Sequence, residues 1–130
     1  MTTLMWMRWL HLLAMSVWVG GTLLIGVFVM ALVRAGASAE QLRASARAFG
    51  MASGVALLVL LVTGIGQVHL LGWPWTYPRL HVKLGLVGAA LLVTAVHIAT
   101  ARRMGDTGRR AIQAVILLLN LATVGAAVWM

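Results

Sequence analysis

Cysteine is missing from all 130 residues, so the chain has no disulfide and no thiolate metal site, and any metal must bind through His, Met or oxygen. Acid is nearly as scarce: Glu40 and Asp106 are the only two carboxylate side chains, against ten Lys and Arg. A paired-carboxylate acid–base site is therefore excluded. No arrangement of a hydrolytic triad and no phosphate-binding loop can be found in the sequence either. Charged residues of either sign make up only 9% of the chain, far below the roughly one-quarter of soluble domains.

What is present is apolar. Hydrophobic residues are 62% of the total, and they run in stretches long enough to cross a bilayer. The surplus charge of +8 would suggest nucleic acid in a soluble protein; in a membrane protein it marks loops held on one side of the bilayer, and no nucleic-acid role is expected. The first apolar run continues past signal-peptide length with no small-residue cleavage site after it, so the amino terminus is expected to be the first span.

Three breaks interrupt the apolar sequence, "VRAGASAEQLRAS", "LGWPWTYP" and "ARRMGDTGRR". They predict four helices at 3–34, 39–71, 77–103 and 107–130, with Ser38 and Gln41 as a capping box and Pro78 in the first turn of the third helix. Short loops make neighbours antiparallel. The expected fold is an all-α integral membrane protein, an antiparallel four-helix transmembrane bundle forming one domain over 1–130.

Basic residues orient it. Arg34, Arg43, Arg47, Arg102, Arg103, Arg109 and Arg110 fall on one side, and Arg8, Arg79 and Lys83 on the other. The richer side belongs in the cytoplasm, which puts loops 35–38 and 104–106 there and both termini outward in a bacterial-type inner membrane. Trp6, Trp9, Trp73, Trp75, Tyr77 and Trp129 then gather at the outer interface, where amphipathic rings sit between acyl chain and headgroup. Trp18 alone lies deep.

Depth makes the four histidines interpretable. His11 lies about 12 Å into the first helix; His69, His81 and Lys83 lie near the same outer side, whereas His97 is about 21 Å deeper than Lys83. At about 100° per residue, His11, Met15, Trp18 and Thr22 share one stripe of the first helix. Lys83, Ala90, Thr94 and His97 share one stripe of the third. In "RLHVKLGLVG", His81 is about 160° from Lys83, on the stripe of Gly88 and Leu92, so only one of the two points squarely inward. Thr63 and Gln67 in the second helix, and Gln113 and Asn120 in the fourth, are polar groups expected to face neighbouring helices. Gly20, Gly21, Gly50, Gly54, Gly64, Gly66, Gly85 and Gly88 allow close helix packing, or leave space for a flat cofactor.

Each polar residue has a plain reading beside a functional one. His69 and His81 can bond headgroups or water at the interface, Lys83 can snorkel, and methionines in spans are usually packing. His11 and His97 lie further inside apolar runs, and intramembrane ionisable groups point to function. Haem b would need one or two axial His or Met ligands and basic groups for its propionates; His11 with a second ligand from the second or third helix, and Arg8, Arg79 or Lys83, could supply them at the outer side, whereas His97 is too deep to grip the same small ion as His11. Copper would instead use imidazole and thioether, from His11, His69 and His81 with Met15, or with Met1, Met5, Met7 and Met130 on the same side.

"WLHLLAMSVWVGG" resembles the opening of the copper-resistance D (CopD) type membrane domain and of the HemJ-type protoporphyrinogen oxidases. "TYPRLHVKLGLVGAALLVTAVHIATARR" resembles the third span of both. The resemblance implies that the first-span histidine and tryptophan of the HemJ group fall on His11 and Trp18, its third-span lysine on Lys83 and its later histidine on His97. It favours Lys83 inward, whereas metal-ligand chemistry alone favours His81. Two HemJ elements are replaced here, by "IGVFVMALVR" at the end of the first span and "RRAIQAVILLLN" in the fourth. Three expectations follow: a haem b redox protein, working in electron transfer or porphyrinogen oxidation with a quinone, porphyrin or protein redox partner; a CopD-like copper-uptake protein; or a small structural subunit that dimerises as a homo-oligomer or escorts a larger complex.

Overall fold

Thr2 begins the first helix by accepting the Met5 amide on its side chain at 3.3 Å, which satisfies one of the amides a helix start leaves open. From there α1 (Thr3–Arg34) runs without a break, because Gly20, Gly21 and Gly26 are its only poor helix formers in a span of good ones. Gly36, at φ +80°, reverses the chain. α2 (Ala39–Leu71) then starts on a complete capping box: the Ser38 amide donates to Gln41 Oε1 at 2.8 Å, and the Gln41 amide to Ser38 Oγ at 3.2 Å. Replacing Ser38 by Ala should cost about 1 kcal/mol, read as a lower unfolding midpoint in detergent; an unchanged midpoint would show that the box adds nothing to this helix.

Gly72, at φ +65°, closes α2, its amide donating to the His69 carbonyl at 3.1 Å and the Trp73 amide to Val68 at 3.2 Å. That left-handed step is the one glycine tolerates without strain. A short turn leads to α3 (Pro78–Thr100), where Pro78 is the first helical residue and so gives up no intrahelical bond. α4 (Asp106–Trp129) completes four helices among the described residues, all-α in class, each long and apolar enough to cross a membrane.

The structure, a computed structural model, describes residues 1–100, 103 and 105–129, with backbone only for Asp106 and Arg109. Arg102, Met104 in the expected 104–106 loop, and Met130 lie outside the described residues. The expected helix bounds shift slightly at the third and fourth elements. α3 is described from Pro78, one residue later than expected, to Thr100; residues 101–102 of the expected helix lie outside the described residues, and Arg103 sits in a turn with its amide donating to the Thr100 carbonyl at 2.9 Å. α4 starts one residue earlier than expected, at Asp106.

The chain divides into two compact units, Met1–Trp73 and Pro74–Met130. Each is a helix hairpin: α1 packs on α2, and α3 on α4. In the first, antiparallel register is fixed by three close approaches. Met7 meets Gly66, His11 meets Gly64, and Phe49 meets Gly21. A Cβ on Gly21 would stand 2.7 Å from the Phe49 ring edge, and one on Gly66 would stand 2.6 Å from the Met7 sulfur. Gly20, Gly50, Gly54, Gly85 and Gly88, in contrast, face no atom within 4 Å.

Large apolar side chains cover the outside of both hairpins, with Val62 60%, Ile98 72% and Val128 84% exposed. Such a surface suits hydrocarbon and not water. Polar groups reverse that pattern. Thr63, Asn120 and Thr123 are buried, and the hydroxyls of Thr63 and Thr123 donate to carbonyls four residues back at 2.6 and 2.8 Å, so neither is left unsatisfied in an apolar setting.

Candidate functional site

In the α1–α2 hairpin the polar chemistry converges on His11. Its ring lies part-buried on α1, with Nδ1 2.8 Å from Oγ1 of Thr63 on α2. A β-branched side chain placed here is stiff, and Thr63 is only 4% exposed. Its hydroxyl reaches the Val59 carbonyl at 2.6 Å and passes Leu60 at 3.4 Å. One turn along, the Gln67 amide donates to the Thr63 carbonyl at 3.2 Å. Gly64 lies beside the imidazole: a Cβ there would come to 3.5 Å from His11 Cε1. The absence of that side chain lets the ring lie against α2.

The rest of the His11 stripe is inward too. Met15 is half-buried and Trp18 is 5% exposed. The Trp18 carbonyl takes the Thr22 hydroxyl at 2.8 Å. Met7, one turn toward the amino terminus, has its sulfur against Gly66, so that thioether serves helix packing. His69 is exposed near the end of α2. It lies six residues beyond Thr63, about 9 Å along the helix, so the hairpin does not bring it to His11. An open apolar groove lined by Ile25, Phe28, Leu32 and Phe49 starts about 21 Å along α1 from His11 and belongs to neither histidine.

The α3–α4 hairpin holds the remaining candidates. Arg79 joins its two open ends, donating from a guanidinium nitrogen to the Trp129 carbonyl at 3.1 Å while its carbon sits 4.6 Å from the Trp129 ring centroid. This combines a charge-assisted bond with a cation–π contact. His81 is exposed and donates from Nε2 to the Trp75 carbonyl in the preceding turn. Lys83, on the other face, is half-buried. The nearest carboxylate by chain topology, Asp106, begins α4 at the opposite end of the hairpin.

Further along the Lys83 stripe, Ala90 is wholly buried and the Thr94 hydroxyl donates to its carbonyl at 2.7 Å. His97 is half-buried, and its buried Nδ1 has no hydrogen-bond partner among the described residues. On α4 Asn120 is wholly buried, while Gln113 on the same sequence stripe is exposed. Thr123, three residues from Asn120, is a second buried polar group of that helix, one not expected from the sequence, although the three-residue spacing was its visible signal.

Among the described residues no three His, Asp or Glu side chains come together in a group able to hold a metal ion. Comparison of the chain with family models, curated proteins and solved structures finds no match.

Proposed function

We propose that this protein is a multi-pass redox protein of the inner membrane that binds haem b, with His11 as an axial ligand. The observation that carries this reading is the seating of His11 between two helices, bonded to Thr63 at 2.8 Å and lying beside Gly64. A histidine serving only the interface has no need of an acceptor on a second helix. Arg8, one turn outward on α1 and exposed, is the cation that would pair with a propionate. The resemblance of the first span to the HemJ-type proteins points the same way. Copper is the competing occupant: Met7 packs its sulfur on Gly66, but Met15, half-buried on the His11 stripe, keeps a thioether for it.

The absorption spectrum of the protein purified in detergent, before and after dithionite, tests the proposal. A sharp reduced α-band is expected, and a colourless, iron-free protein from haem-replete cells would overturn it. Metal analysis of such a colourless preparation would then decide on copper.

Orientation belongs to the same proposal: loops 35–38 and 104–106 in the cytoplasm and both termini outward. Exposed Trp6 and Trp9, packed edge to face at 5.9 Å, support an interfacial start to α1. Because the chain lacks cysteine, single-cysteine variants report the side directly. Thr76→Cys should react with a membrane-impermeant thiol reagent in intact cells, and Ala35→Cys only after permeabilisation. The opposite labelling pattern would invert the topology.

A further inference from the structure

We propose that Thr63 is a positioning residue that holds the His11 imidazole in its Nδ1–H tautomer, so that the ring's lone pair is carried on Nε2. The inference rests on the haem reading for its purpose, but on hydrogen accounting for its content. A threonine hydroxyl has one hydrogen to give and two lone pairs to receive. Oγ1 of Thr63 has two close partners, the Val59 carbonyl at 2.6 Å and His11 Nδ1 at 2.8 Å. The carbonyl oxygen can only accept, so the hydroxyl hydrogen lies on the 2.6 Å line. Placing it toward His11 would leave two oxygen lone pairs facing each other at that distance, with nothing between them. Oγ1 is therefore the acceptor in the bond to His11, and Nδ1 is the donor.

The consequence reaches the ring's other nitrogen. A neutral imidazole protonated at Nδ1 carries its lone pair on Nε2, the nitrogen with which a metal-ligating histidine held in this way binds. An acceptor on Nδ1–H also makes the ligating nitrogen more basic. Thr63 thus acts on the cofactor through His11 and without touching it. Gln67 and Val59 extend the arrangement along α2: the first donates to the Thr63 carbonyl at 3.2 Å, the second receives the Thr63 hydroxyl. The helix backbone itself sets which nitrogen is protonated.

Nitrogen-15 NMR of the full chain in detergent, labelled at histidine and purified without bound cofactor, reads the tautomer directly. The measurement is made at about pH 8.5, where ordinary imidazoles are neutral, and the His11 signals are identified by their loss in His11→Gln. The native chain should show a protonated Nδ1. Thr63→Val, which keeps the shape and removes the acceptor, should move most of His11 to the Nε2–H form, while Thr63→Ser should stay native-like. A native chain already in the Nε2–H form, or a Thr63→Val chain with the native tautomer, would overturn the proposal whether or not haem binds. In the haem-loaded protein, Thr63→Val should raise the midpoint potential and Thr63→Ser should leave it in place. Failure to bind haem with a protonated Nδ1 would remove the haem reading and leave the tautomer assignment standing.

Discussion

His11→Ala should abolish the reduced α-band, and neither His69→Ala nor His97→Ala should do so. The contrast follows from how each histidine is held. His11 is fixed by a bond to a second helix and lies on the packed face of the hairpin, whereas His69 is exposed at the end of α2. His97 is part-buried, but it lies 86 residues further along the chain on another hairpin. Loss of an outer partner of a metal ligand typically weakens binding about 10–100-fold; loss of the ligand itself should do more. The measurement is the haem-to-protein ratio after purification together with the dithionite spectrum. A His11→Ala protein with an unchanged spectrum would remove His11 as a ligand. Retention of helical circular dichroism by the variant separates loss of haem from loss of fold, because Ala is an excellent helix former and the packing at Gly21 and Gly66 does not involve position 11.

The four helices were legible because each carries an apolar run of spanning length bounded by recognisable chemistry. Ser38 with Gln41 marks the start of α2 as a complete box, and Pro78 stands at the first helical residue of α3. The end of α3 was less legible. Apolar and small residues run on through Ala99, Thr100 and Ala101, and nothing in that pattern announces the turn that places the Arg103 amide on the Thr100 carbonyl. Glycine patterns were half legible for a related reason. Gly21, Gly64 and Gly66 sit at close approaches, but Gly50 and Gly54, equally well spaced, meet nothing within 4 Å. Composition shows where helices are able to touch, and the register of the pair decides where they do.

Register also decides which neighbour each histidine meets. Depth counted from each helix's own end groups His69 with His11 at the outer level. Depth counted through the contacts is sharper: Met7–Gly66, His11–Gly64 and Gly21–Phe49 put Thr63 beside His11 and leave His69 about 9 Å away. The sequence marked Thr63 and Gln67 as polar groups facing a neighbour. It held no sign that the neighbour of Thr63 would be His11, because that pairing joins residues 52 positions apart. The choice between His81 and Lys83 shows the opposite case, in which helical phase alone separates the two faces. Lys83 is half-buried, and His81 is turned out to the Trp75 carbonyl.

Gly64 gives the second large effect, graded by side-chain size. Gly64→Ala should keep haem, because its Cβ would reach His11 Cε1 at 3.5 Å, an ordinary van der Waals contact. The change should also favour the helix, by up to about 1 kcal/mol, through the lower backbone freedom of alanine in the unfolded chain. Gly64→Leu should lose the reduced α-band almost as fully as His11→Ala. Its further carbons start from a contact already made with the imidazole. Overpacking of this kind costs typically 1–3 kcal/mol, and a displaced ring strains its bond to Thr63. The order expected for retained haem is native, then Gly64→Ala, then Gly64→Leu, with Gly54→Leu close to native because Gly54 faces no atom within 4 Å. Equal retention in Gly64→Leu and Gly54→Leu would mean that the face of α2 against His11 does not shape the site. Equal loss in both would assign the effect to helix packing in general, and a midpoint of unfolding in detergent would show it as instability common to the two.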